Sequence, residues 1–218
     1  MFSKHLKFLI PSILCFILVS CGTILPTRYE DPKAVTKIVV QNKRVGRLPD
    51  NLKECTNLKK IILFRTQLDT IPKEILELTS LEELSLGGNN IKVVPSEIGQ
   101  LKNLKILNLK NNEITKLPHE IGQLKKLESL HVEFNELQRL PDSIQNLNKL
   151  EILYIHDNEI TVLPDSLGSL SKLNRFIIGK NNLKRLPPSM AKLENLRELN
   201  LVATGVNLRV PSYFQGLA

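Results

Sequence analysis

The sequence predicts an α/β solenoid, with a single parallel β-sheet on the concave face and short helical turns on the convex face. Three observations predict it. The first is self-similarity: Leu101 opens LKNLKILNLKNNEITKLPHEIGQ, Leu124 opens LKKLESLHVEFNELQRLPDSIQN and Leu147 opens LNKLEILYIHDNEITVLPDSLGS, a period of 23 residues. The second is alternation of apolar residues within each unit, as in Leu107 and Leu109, Leu130 and Val132, Leu153 and Ile155. That spacing turns both side chains to one face of a short strand. The third is an asparagine and a Leu-Pro pair, each recurring at one phase of the repeat. One unit cannot bury its own leucines, whereas stacked units bury them continuously.

The N-terminal segment stands apart from this pattern. Lys4, His5 and Lys7 precede an apolar run from Phe8 to Val19, interrupted only by Pro11 and Ser12. The run is short for a bilayer span and has the form of a signal peptide, assigned to residues 1–20. Its end, Leu18-Val19-Ser20-Cys21, resembles the bacterial lipobox. That resemblance implies cleavage before Cys21 and acylation of the cysteine, so Cys21 is the expected lipidation site. It also implies an exported protein, lipid-anchored in the bacterial envelope at the outer membrane or cell surface. Cys15 would leave with the signal and Cys55 would remain alone, so a mature chain offers no intramolecular disulfide. Residues 21–31 are expected as the lipidated cysteine and a polar tether.

The repeat domain is assigned to residues 32–218. Eight units run from Pro32 to residue 215, with one extra residue before Val210. The consensus asparagine appears as Asn89, Asn112, Asn135, Asn158 and Asn181, and is replaced by Lys43, Thr66 and Thr204 in outer units. At sharp turns its amide can satisfy backbone groups of neighbouring coils. Pro49, Pro72, Pro95, Pro118, Pro141, Pro164 and Pro187 sit where a helix starts, since the first turn tolerates the missing N–H. Short helical turns such as Pro72 to Leu78 follow, with Ile75, Ile98, Ile121 and Ile144 pointing inward. Asp142 and Asp165 fall near helix starts, where negative charge is favoured. Val210, Pro211, Phe214 and Leu217 continue the phase to the end.

The pattern LxxLxxLxLxxNxLxxLPxxIxx resembles the leucine-rich repeat family in its 23-residue form. With the lysine-rich composition and the Ser20-Cys21 lipobox, it further resembles the leucine-rich repeat lipoproteins of spirochaetes, notably leptospiral ones. The resemblance implies a curved solenoid, a protein partner and a role in host or matrix contact at the cell surface. The alternative is a periplasm-facing lipoprotein that scaffolds envelope components.

The formal net charge of +8 comes from 30 basic and 22 acidic residues. The lysines scatter through turns and the strand positions mix signs, so no basic stripe for nucleic acid forms. No P-loop, G-x-S-x-G or C-x-x-C is present, and His119-Glu120 lacks the second histidine of H-E-x-x-H because Gln123 stands there. No enzymatic activity and no cofactor are expected.

The outward strand positions are what the repeat leaves free. The central column runs Val39, Ile62, Ser85, Asn108, His131, Tyr154, Ile177, Asn200. The column before it includes Lys37, Lys60, Glu83, Ile106, Ser129, Ile152, Arg175 and Glu198. The column after it includes Gln41, Phe64, Gly87, Lys110, Glu133, His156, Gly179 and Val202, flanked by Phe134 and Asp157. Aromatic residues bury much area at small entropy cost and concentrate at binding hot spots. The candidate ligand-binding residues are therefore Ile106, Asn108, His131, Glu133, Phe134, Ile152, Tyr154, His156, Asp157, Arg175 and Ile177. His131, Glu133 and His156 have the residue types of a zinc site, but an open sheet offers little second shell, and no metal is expected.

Overall fold

A computed structural model describes residues 25–204. The expected signal peptide, Cys21, and the C-terminal Val210, Pro211, Phe214 and Leu217 lie outside the described residues. Eight parallel strands form one sheet in chain order: β1 (Lys37–Gln41), β2 (Lys60–Phe64), β3 (Glu83–Ser85), β4 (Ile106–Asn108), β5 (Ser129–His131), β6 (Ile152–Tyr154), β7 (Arg175–Ile177) and β8 (Glu198–Asn200). Each pairs with the next in unbroken 23-residue register; Leu84, Leu107, Leu130, Leu153, Phe176 and Leu199 align across β3 to β8. These residues are buried in one continuous core with the inward leucines and isoleucines of the turns.

The convex side carries the helical turns the prolines announced, with two differences. Among the described residues only Lys73–Leu76 is α-helical; Ser96–Gln100, His119–Gln123, Asp142–Asn146, Asp165–Ser169 and Pro188–Lys192 are 3-10 turns. Pro72, Pro95, Pro118, Pro141, Pro164 and Pro187 stand one residue outside them, in extended conformation, as caps. What such a proline contributes is its carbonyl: Ile98 N–H donates to Pro95 O and Ile121 N–H to Pro118 O, both at 3.1 Å. A five-residue turn closes with an i to i+3 bond, so the residue before it is the acceptor. Ile75, Ile98, Ile121 and Ile144 are fully buried beneath. Successive turns pack tightly: a Cβ on Gly122 would lie 2.4 Å from Ser143 O, and one on Gly168 2.1 Å from Ser189 O.

The N-terminal end is covered rather than tethered throughout. Leu25 and Tyr29 are each 7% exposed and join the core. Asn51, also buried, holds Tyr29 from both sides, accepting from its N–H and donating to its carbonyl at 2.9 Å each. The segment assigned as a polar tether thus contributes apolar contacts to the first coil.

The asparagine ladder forms as the repeat requires. Asn135 Nδ2 donates to Leu109 O at 3.0 Å and Val132 O at 3.1 Å, and its Oδ1 accepts from Ile114 N–H at 3.0 Å. The carbonyls are doubly served: Leu109 O also accepts from Asn112, and Val132 O from Asn158, both at 2.9 Å. The Ile114 N–H has Asn135 alone. Asn135→Ala should therefore destabilise the fold by about 1–3 kcal/mol, most of it from that one buried N–H. Thr204→Ala should cost less, because Leu183 N–H already donates to the Thr204 backbone carbonyl at 2.7 Å. Thermal melts of the two variants check the order; a smaller loss for Asn135→Ala would refute the ladder account.

Candidate functional site on the concave face

The strands present their alternate side chains in rows across the sheet. Asn108, His131, Tyr154 and Ile177 are lateral neighbours along β4 to β7, and Ile106, Ser129, Ile152 and Arg175 form the row beside them. The register thus brings the candidate residues together on four adjacent strands, about 4.8 Å apart.

Charges along the row of Ile106, Ser129 and Ile152 are paired on either side of them. Lys60 meets Glu83 on the β2–β3 side, and Arg175 Nε donates to Glu198 at 2.6 Å on the β7–β8 side. The Glu198 carboxylate holds Arg175 still more firmly protonated than usual. Between these pairs the row carries only Ile106, Ser129 and Ile152. Ile106 is 37% exposed, and Ile152 and Ile177 are half-buried.

A run of rings lies beside this uncharged stretch. His131 and Tyr154 meet edge-on with centroids 4.8 Å apart; Tyr154 and His156 are 6.3 Å apart, and His156 and Phe134 5.2 Å. The Arg175 guanidinium lies 5.6 Å from the Tyr154 centroid. Ser129 Oγ hydrogen-bonds with His131 Nε2 at 2.7 Å and fixes that ring. Asn108 Oδ1 accepts from Lys110 N–H at 3.1 Å, which ties it to its own turn. Tyr154 is half-buried by its neighbours, so it is a packed wall rather than a free side chain.

Three positions depart from the sequence reading. Glu133, expected as an outward free choice, is 6% exposed, with His131 Nδ1 3.8 Å from Oε1 and no hydrogen-bond partner for Oε2. Phe134 and Asp157 are constrained by backbone: φ is +55° and +52° there. The same phase is left-handed in every coil, through Asn42, Arg65, Gly88, Asn111, Lys180 and Ala203. The parallel ladder runs on past each strand and imposes it: Phe134 N–H donates to His156 O at 3.1 Å, and its carbonyl accepts from Asn112 N–H at 3.2 Å. Two partners lie outside the candidate set: Ser129, placed in an outward column but not chosen, and Lys180, whose ammonium pairs with Asp157 at 3.2 Å. Lys180 stands at the next 23-residue step from Asp157, which is the signal that would have found it.

Among the described residues no group of three or more His, Cys, Asp or Glu side chains is arranged to hold a metal ion, and no helix is long and apolar enough to cross a membrane. His119 is exposed on the convex side, away from the rings.

Comparison with known proteins agrees with this geometry. A leucine-rich repeat region model matches residues 39–133, and a leucine rich repeat model matches 126–176 and 148–206. No curated protein matches the chain. Among solved structures, a Leptospira interrogans LRR protein is 37% identical with a TM-score of 0.76, over 80% of this chain and 45% of that one. The plant peptide hormone receptor RGFR1, in complex with RGF2, is 29% identical with a TM-score of 0.74, over 85% of this chain and 31% of the receptor. The LRR ectodomain of an Arabidopsis thaliana membrane receptor kinase, in complex with CASPARIAN STRIP INTEGRITY FACTOR 2, is 28% identical with a TM-score of 0.71, over 79% of this chain and 22% of that one. The chain spans less than half the length of each of these structures.

Phe134 is 47% exposed, and a phenylalanine at positive φ is strained. Phe134→Asn should raise stability by about 0.5–1 kcal/mol, the strain relieved less the ring contact with His156. Urea or thermal unfolding measures this; a clear loss of stability would show that the ring serves the fold.

Proposed function

The chain belongs to the leucine-rich repeat family, and from that premise we propose that it is a non-catalytic binding module whose concave β4–β7 face takes a protein ligand. The observation that carries the proposal is the ring run from His131 through Tyr154 and His156 to Phe134, beside a row whose charges are paired off on both sides of Ile106, Ser129 and Ile152. An apolar and aromatic centre with polar rims is the anatomy of a protein-binding surface. The peptide hormone receptor in complex with RGF2 has the same fold at 29% identity, which favours a protein or peptide ligand here.

Tyr154→Ala should cost about 2 kcal/mol of affinity, the scale of a hot spot. His131→Ala and Phe134→Ala should add smaller losses. Lys110→Ala, at the patch edge, should act through on-rate and salt dependence. Lys125→Ala, an exposed lysine next to the convex turns, should leave binding unchanged. The ligand is obtained by pull-down with the 22–218 domain from host matrix and envelope extracts, then titrated against the series. Wild-type binding by Tyr154→Ala with loss in convex variants would place the ligand on the other side.

The site of action proposed is the bacterial cell surface, reached through a lipid on Cys21, with host or matrix protein as the ligand class. The lipobox-like Leu18-Val19-Ser20-Cys21 motivates it. Labelled palmitate should enter the wild type and not Cys21→Ala, and the variant should leave the membrane fraction; equal labelling rejects the anchor. Protease added to intact cells should digest the protein. Complete protection would favour a periplasm-facing scaffold instead.

A further inference from the structure

Glu133 is the group on the concave face that the fold leaves unsatisfied. Its side chain is only 7% exposed, the nearest nitrogen in an ion pair is His131 Nδ1 at 3.8 Å, and Oε2 has no hydrogen-bond partner. A contact of that length is not a hydrogen bond. His156, the lateral neighbour of Glu133 one coil on, also has a buried Nδ1 with no partner. A carboxylate removed from water is costly unless a donor or cation meets it.

Two of the cations nearby are engaged elsewhere. Lys180 pairs with Asp157 at 3.2 Å, and Arg175 with Glu198 at 2.6 Å. Lys110, at the same position one coil earlier, is the lateral neighbour of Glu133 on the other side. Its stem runs against Gly87, where a Cβ would stand 3.1 Å from Lys110 Cγ, and the two form no ion pair among the described residues.

Resting on the concave-face reading above, we propose that Glu133 and the rings around it form a cation-recognising subsite, which takes a lysine or arginine side chain of the protein ligand. Oε2 supplies the counter-charge. Phe134 and Tyr154 supply ring faces, and both meet the His156 ring, with centroids 5.2 Å and 6.3 Å away. A cation is attracted within about 6 Å of such a ring centroid. Phe134 supports the assignment independently. It occupies a left-handed position filled by small, polar or charged residues in the other coils, and nearly half of it stays in solvent. The backbone state there belongs to the scaffold, so what is particular to this coil is the exposed ring it carries. Oε2 has no open surface, so the incoming ammonium or guanidinium reaches it as the side chains over it shift.

The test uses N-acetyl-arginine methylamide and N-acetyl-lysine methylamide as probes, with N-acetyl-glutamate methylamide as control, on the purified protein. Histidine ring C–H resonances are followed by NMR. The cationic amides should shift His131 and His156 saturably and the acidic one should not. Glu133→Gln should melt at or above wild type, since a buried unpaired charge is gone, and should bind the cations about tenfold more weakly or worse. Lys110→Ala, which removes a neighbouring like charge, should bind them more tightly. Equal binding by wild type and Glu133→Gln, or equal shifts with the glutamate amide, overturns the subsite. So does a marked fall in melting temperature for Glu133→Gln, which would make the residue structural. A captured ligand that needs Tyr154 but binds Glu133→Gln normally overturns the subsite and leaves the concave reading standing. If Tyr154→Ala leaves capture intact while the probe shifts persist, the subsite survives as a cation site and the concave reading is what fails.

Discussion

Everything in this molecule depends on paying for peptide groups that the stacking of coils takes out of water. Each coil turns sharply after its strand, and its carbonyls there would be buried without partners. A side-chain amide from the same coil and another from the next both donate to the same oxygen: Leu86 O receives Asn89 and Asn112, and Ile155 O receives Asn158 and Asn181. The interaction exists only between neighbours in register, so it fixes the 23-residue period as well as satisfying it. Strand pairing, core layering and the placement of every outward side chain follow from that register. Where the asparagine is absent, the chain finds a weaker substitute. Thr66 Oγ1 donates to Leu63 O at 3.3 Å, and its hydroxyl and N–H both lean on Asn89 of the next coil.

The fold was legible because its determinants recur. Leu107, Leu130 and Leu153 announce their burial by alternation, and the structure buries each of them completely. The ends were harder, since nothing repeats there. Asn51 sits in a loop phase with no counterpart in the consensus, so its double bond to the Tyr29 backbone has no periodic signature. The Leu-Pro prolines stand one residue before their turns instead of opening them, because each supplies the carbonyl that the first i to i+3 bond closes on.

The site was legible in membership and less so in mechanics. Periodicity shows that Tyr154 and His131 are lateral neighbours; it does not show that their rings meet edge-on or that Ser129 fixes one of them. Nor does it separate a side chain that stands in solvent from one that folds back. Glu133 and Ile106 both occupy outward phases, yet one is buried and the other exposed. The difference lies in what adjacent coils place over them. The left-handed column has a different cause. It arises from a parallel ladder that continues beyond the strand, and the mixture of Asn, Gly, Arg, Lys, Asp, Ala and Phe along it conceals the shared backbone state.

The tight convex packing has a geometric consequence. A solenoid bends because its outer layer is thicker than its inner one. Here the outer layer is a five-residue 3-10 turn, pressed so closely on the next that Gly122 and Gly168 have no room for a Cβ. Short, closely stacked outer turns keep the rise per coil on the outside nearer the strand spacing on the inside than longer helices would, which favours a flatter floor. On a flatter floor a partner is met by the side chains beneath it rather than by enclosing walls, so selectivity rests on a few features of the floor itself.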